Sequence, residues 1–151
     1  MTQAIDPREA IRELAYRYSF CFDTKQYDAI ANLFAEDGVF DETSVGFPLL
    51  SGRDQIEGFF TGGTTNVLNW AVHYVTNHFL TELGEDEAKG TCHLLFEGGL
   101  SDGSRIRIVG YIDDDYVRVG GNWLFRSRRL TTIAPPEGFE RVGALLAEGS
   151  A

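Results

Sequence analysis

Apolar side chains near the start of the chain recur at three- and four-residue steps: Ile11, Leu14, Ala15, Tyr18 and Phe22. That spacing puts them on one stripe of a helix and predicts an amphipathic helix over 6–23. Asp6 is placed to cap it, Pro7 suits the first helical position, and Glu9 completes a capping-box spacing. The same period predicts a second helix from Tyr27 to Ala35, with Ile30, Leu33 and Phe34 inward, stopping at Glu36-Asp-Gly38. GVFDET (38–43) reads as a short strand, and SGRDQIEGFF (51–60) as a third helix opened by Ser51 or Asp54.

The second half changes period. β-rich runs at 69–83, 87–100, 104–118 and 121–132 are separated by GEDE, SDGS and GGN, which punctuate hairpins. Helices first and an antiparallel meander second predict an α+β fold. N-terminal helices would pack on one side of a curved, mostly antiparallel sheet and enclose a cone-like pocket beside the first helix. The two prolines at 135–136 end the last strand, and EGFERVGALLAEG (137–149) is either a terminal helix or a loose tail. No repeat, low-complexity tract or linker divides the chain. It reads as one domain over 1–151, with a core of about 5–133 and a tail of 134–151.

Composition narrows the function. With 151 residues, 43% hydrophobic and 13% aromatic, the chain can bury a real core. Thirteen basic against 23 acidic residues give a formal charge of −10, which repels nucleic acid and anionic membranes. The Arg126-Ser-Arg-Arg129 cluster is too short to reverse that. No apolar run approaches the roughly 18 residues of a membrane span. MTQAIDPREA has no basic region followed by an apolar core, so no secretory signal is expected. Cys21 and Cys92 read as reduced core thiols, and the expected location is the cytoplasm.

Candidate chemistry centres on AVHYVTNHF (71–79), which holds two of the three histidines. In a regular strand His73, Val75, Asn77 and Phe79 share one face, and His78 faces the other way. His73 and His78 then diverge unless a bulge intervenes, and no convergent set of zinc ligands is expected. Asp113-Asp-Asp115 reads as a solvated strand end. Asp23 ends the first helix, where a carboxylate opposes the helix dipole and calls for a partner. His73 would suit it: the carboxylate would accept one ring N–H, fix the tautomer and make the other nitrogen more basic. Asp23 could instead simply open the DTKQY turn. Strand alternation puts Arg126 and Arg128 on one face and Arg129 on the other, with a bulge able to change the choice.

The order of segments carries a resemblance. A helix ending in Asp (RYSFCFDTKQYDAIANLFAEDGVFD) is followed by GRDQI, then HYVTN, then DYVRVGGNWLFRSRR. From about Ile5 to Ile133 the chain resembles the SnoaL-like family of the nuclear transport factor 2-like superfamily. The likeness is to its eliminating enzymes of the scytalone dehydratase, hexachlorocyclohexane dehydrochlorinase and bile-acid dehydratase type. The resemblance implies a cone-shaped, cystatin-like α+β barrel with a catalytic Asp23–His73 dyad. It also implies Tyr18 as a polar group before the Asp, Arg128 as the last-strand arginine, and His93 as a second histidine. Tyr18 and Arg128 also admit ordinary roles, in the core and in a surface ion pair. Trp70, Asn77, Phe40, Phe59 and Phe60 complete the candidate substrate-binding residues.

The expected chemistry is a cofactor- and metal-independent lyase reaction, a dehydratase-type β-elimination on a hydrophobic cyclic small molecule. His73 would act as general base, and Tyr18 or Arg128 would stabilise the developing charge or leaving group. Burial lowers an imidazole's pKa and a neighbouring carboxylate raises it, so the two would balance near neutrality. The alternatives are a ketosteroid-isomerase-like isomerase or polyketide cyclase on the same scaffold, or a non-catalytic binding or assembly domain. A sheet face bearing Tyr74, Phe96, Ile106 and Ile108, or their alternates, would be exposed and apolar. It predicts a homo-oligomer, a trimer or else a dimer.

Overall fold

A computed structural model describes residues 4–149 of the chain. Helix α1 (Pro7–Asp23) forms where its stripe requires, with Ile11, Leu14, Ala15, Tyr18 and Cys21 inside. The Asp6 carboxylate caps it by accepting from the Arg8 N–H at 2.9 Å. Glu9 does not close a capping box, because its carboxylate pairs with Arg12 three residues on.

The second helix is shorter than its period predicts. Helix α2 spans only Tyr27–Ile30, and a 3-10 turn takes Ala31–Leu33. Strand β1 (Phe34–Asp41) begins where the helix was expected to continue. The apolar step Ile30–Leu33–Phe34 fits either a helical stripe or the entry to a buried strand. Here pairing of Phe34 with Phe125 of strand β6 (Asn122–Thr132) decides it. Strand β2 (Leu50–Ser51) follows, and then helix α3 (Arg53–Thr61), whose N-cap is Gly52 rather than Ser51 or Asp54.

Strands β3 (Leu68–Leu83), β4 (Glu87–Leu100), β5 (Arg105–Val119) and β6 lie where the hairpin pattern puts them. Together they form one six-stranded, unclosed sheet of order β2-β1-β6-β5-β4-β3. Its pairs are antiparallel except β1 with β6. Of the two alternatives for 137–149, the chain adopts the helix: α4 covers Phe139–Gly149. No helix among the described residues is long and apolar enough to cross a membrane.

Two bulges reset which side chains face inward. In β3 the register with β4 shifts between Thr76 and Phe79, and Asn77 takes a left-handed φ of 56°. Asparagine tolerates that conformation better than most side chains. One extra residue reverses the alternation beyond it. His73 and Val75 face inward before the bulge, and His78 and Leu80 after it. Asn77 and Phe79, expected on the inner face with His73, are exposed, and the expected divergence of His73 and His78 is corrected. In β6 the register with β5 shifts between Phe125 and Ser127, leaving Arg126 as the extra residue. Phe125 and Arg128 therefore both face inward, while Arg126 and Arg129 are exposed. Phe96, Ile106 and Ile108, considered for the outer face, are buried on the inner one.

Candidate active site

Strand β3 is the last strand of the sheet, so one row of its backbone groups has no strand partner. The C-terminal end of α1 fills part of that gap. Asp23 is its last residue. The Oδ2 atom of Asp23 accepts the backbone N–H of His73 at 2.9 Å, and its Oδ1 lies 2.6 Å from His73 Nδ1. A carboxylate only accepts hydrogen bonds, so Nδ1 carries the ring proton and Nε2 presents its lone pair. The carboxylate that the helix dipole disfavours is thus held by two donors from a sheet edge.

The imidazole stands edge-on to aromatic rings, with centroids 4.7 Å from Phe96, 5.0 Å from Phe22 and 5.9 Å from Tyr18. Its side chain is only 6% exposed, against 20% for Asp23. Burial lowers the pKa of His73 from its ordinary value, and the hydrogen bond and charge of Asp23 oppose that without cancelling it. The expected balance near neutrality resolves in favour of the neutral base.

His73 borders a cavity in which the centre of a water molecule can move through about 60 Å³. Tyr18 and Phe22 of α1, Phe59 and Phe60 of α3, Phe96 of β4, and Ile106 and Ile108 of β5 form its apolar wall. Phe139 and Val142 of α4 close one end. The polar groups on the wall are His73, Tyr18, Thr64, Thr65 and Glu42. Neither the Tyr18 hydroxyl nor the Glu42 carboxyl has a hydrogen-bond partner among the described residues. Burial, followed by the charge of Glu42, raises the Tyr18 phenol well above its ordinary range, so it is a donor at neutral pH. Burial also pushes Glu42 up to about 7, with Arg128 pulling the other way.

Arg128 does not line the cavity. Its guanidinium lies 4.5 Å from the Tyr18 ring centroid and 4.7 Å from that of Phe125, and Nη1 donates to Asp114 Oδ2 at 2.7 Å. The pair is sealed, with side chains 3% and 1% exposed. Tyr116 also donates to Asp114 Oδ2, and His78 Nε2 lies 3.1 Å from the Tyr116 hydroxyl. Burial opposes the charge on Arg128, but Asp114 together with Cys92, Tyr18 and Tyr116 outweighs it and keeps it a cation. Asp114, expected to be solvated, is instead a buried counter-ion.

The other expected site residues separate into two groups. Phe59 and Phe60 reach the cavity, and Phe40 is core behind them, packed on Tyr18, Phe59 and Phe60. His93, Asn77 and Trp70 are exposed and lie outside the cavity. His93 Nδ1 lies 2.9 Å from Asn77 Nδ2 on the outer face. The Trp70 indole covers Gly99, where a Cβ would come within 2.1 Å of its Nε1. Among the described residues no group of three or more His, Cys, Asp or Glu gathers as metal ligands.

Sequence reasoning missed Glu42 and Asp114, although the signal was there. In β5 the inward phase runs Ile106, Ile108, Ile112, Asp114, Tyr116, and in β1 it runs through Phe40 to Glu42. An acidic residue on an apolar phase marks a buried charge that needs either a partner or a use.

The model of the SnoaL-like domain family matches residues 3–129. The chain belongs to the SnoaL-like domain family. No curated protein matches it in sequence. Solved structures share its fold over most of their length. One, provisionally named an aromatic ring hydroxylase, from Novosphingobium aromaticivorans, is 27% identical with a TM-score of 0.81. That match covers 86% of this chain and 91% of that one. A provisionally named scytalone dehydratase from the same organism is 24% identical, with a TM-score of 0.76 and 83% of both chains covered. A hexachlorocyclohexane dehydrochlorinase from Novosphingobium barchaimii is 21% identical, with a TM-score of 0.73, covering 86% of this chain and 89% of that one. The SnoaL-like domain thus has the cone fold of the nuclear transport factor 2-like superfamily.

Proposed function

We propose that this SnoaL-like domain is a dehydratase-type lyase acting on a hydrophobic cyclic small molecule. One observation carries the reading: both donors of His73, ring and backbone, close on the single carboxylate of Asp23, leaving Nε2 free beside an apolar cavity. A neutral imidazole fixed in one tautomer, with a pKa below its usual value, is a general base that stays unprotonated at physiological pH. It would take a proton from a carbon next to a carbonyl. The Tyr18 phenol would donate to the oxygen on which negative charge develops. Arg128 would act through the face of Tyr18, making that phenol a better donor, without touching substrate. Trp70, Tyr74 and Phe79, exposed on β3, support assembly into a homo-oligomer.

The test is a panel of cyclic β-hydroxy ketones, followed by the ultraviolet absorbance of the conjugated product, with wild type and His73→Gln compared. Loss of water that depends on His73 supports the reading. Turnover that survives in His73→Gln contradicts it. A second reading, isomerisation, is favoured by a carboxyl group and a phenol, Glu42 and Tyr18, on one cavity wall. Mass spectrometry separates the two, because an isomerase leaves the product mass unchanged.

A further inference from the structure

Glu42 is the one acidic side chain on the cavity wall among the described residues, and the dyad makes no use of it. It sits one residue past β1, on the phase that points Phe40 inward. Its neighbour Asp41 turns out to Thr43 and Arg129. The Glu42 carbonyl accepts the backbone N–H groups of Val45 and Phe47, which fixes the turn that carries it. The charged and titratable groups around it are Tyr18 on α1, Asp41 on β1 and Arg128 on β6, and none bonds its carboxyl. Glu42 acts on Tyr18, whereas the charges acting on His73 are those of Asp23 and Arg128. Glu42, Tyr18 and His73 line one cavity. A carboxyl left unpaired against an apolar cavity is either held neutral or met by a polar group of the ligand.

Resting on the lyase reading above, we propose that Glu42 is the general acid that protonates the departing oxygen, so that the substrate is a β-hydroxy carbonyl compound rather than a halide. His73 Nε2 takes the proton from the carbon next to the carbonyl. That C–H electron pair forms the new C=C bond, the C–O bond breaks, and the Glu42 proton goes to the leaving oxygen, releasing water. His73 ends as imidazolium and Glu42 as carboxylate, and proton exchange through water restores both. A hydroxide needs that proton to leave, whereas a chloride does not. Burial that pushes Glu42 up to about 7 keeps a protonated fraction at neutral pH.

The experiment compares 3-hydroxycyclohexanone with 3-chlorocyclohexanone in wild type, Glu42→Gln and His73→Gln. Glutamine keeps the size and removes the acid. The expected result is that Glu42→Gln lowers the hydroxyl-to-chloride rate ratio by about 100-fold, within the usual reach of general acid catalysis. His73→Gln should slow both reactions alike. In wild type the hydroxyl reaction should fall as pH rises past about 7, and Glu42→Gln should lose that limb. A ratio unchanged in Glu42→Gln, with His73→Gln still inactive, overturns the role of Glu42 and leaves the lyase reading standing. Activity retained in His73→Gln overturns that reading itself. A measurement without substrate adds an independent check: melting temperatures of wild type and Glu42→Gln from pH 4.5 to 8. An acid whose pKa is raised on folding stabilises the fold only while neutral, so wild type should lose ground to the variant as pH rises from about 4.5 to about 7, and no further above that. A difference that stays constant across that range overturns the proposal.

Discussion

Two aspartate–base pairs meet at the Tyr18 ring, and they differ in what they leave open. Asp23–His73 joins a helix end to a sheet edge, and its second ring nitrogen borders the cavity. Asp114–Arg128 joins adjacent strands at 2.7 Å, is sealed on every side, and leaves Asp114 Oδ1 and Arg128 Nη2 without partners. The first pair contains a group that can gain and lose a proton near neutral pH. The second contains a guanidinium that cannot. The open pair can therefore turn over protons, while the closed pair supplies a fixed charge behind Tyr18 and a structural cross-link through the core. Bulges at Asn77 and Arg126 build this division, since each turns the next residues of its strand to the other face.

Cutting each pair should break different properties. Asp23→Asn should cost the largest factor, about 10⁴-fold in turnover, because an amide no longer enforces the Nδ1–H tautomer. Its melting temperature should move little, since Asp23 is partly exposed. Steady-state kinetics and thermal melts on the same preparation check both halves. Arg128→Met should do the reverse and cost about 3–5 kcal/mol of stability, read by urea denaturation, because Asp114 is left buried without its cation. Asp114→Leu combined with Arg128→Met should recover most of that loss.

The loss in Arg128→Met should also depend on pH. Burial already pushes Asp114 up to about 6, and removing the cation raises it further. The sign follows from the neutral form being the tolerated one. The pH-dependent part of the loss is absent well below pH 6, where Asp114 is protonated in both folded proteins. It grows as pH rises past 6, where wild type ionises Asp114 beside Arg128 and the variant does not. Tyr18→Phe keeps the ring between the two pairs and removes only the hydroxyl. It should cost turnover about 10- to 100-fold, less than Asp23→Asn, with the fold intact by circular dichroism. The smallest effect belongs to the bulge. Asn77→Ala should cost about 1 kcal/mol, the penalty of a left-handed residue without asparagine's tolerance, and should leave turnover close to wild type.

Much of the fold was legible in the hydrophobic pattern. Strands β4 and β5 carry period-two alternation over more than ten residues each, and α1 carries four inward turns, so neither kind of element has a competing reading. The failure lay at Leu33–Phe34, where a short apolar step fits two periods and a pairing partner 91 residues away decides. The placement of Asp23 and His73 together was readable because a carboxylate at a helix end needs a donor. The position of Arg128 was not, because one extra residue in β6 is invisible to alternation and moves it from the face of Arg126 to that of Phe125. Glu42 and Asp114 were readable as acids on apolar phases, and went unread because each stands beside an acidic neighbour that faces solvent.

The most direct test of the division between an exchanging and a fixed pair is the pH titration of His73 by NMR, in wild type and Asp23→Asn. In wild type the ring should titrate below the ordinary histidine range, because burial outweighs the carboxylate. Removing the charge of Asp23 should move it lower still, since that charge acts to raise it. A His73 that titrates at its ordinary value, or whose titration is the same in both proteins, would contradict the dyad and with it the assignment of His73 as the base.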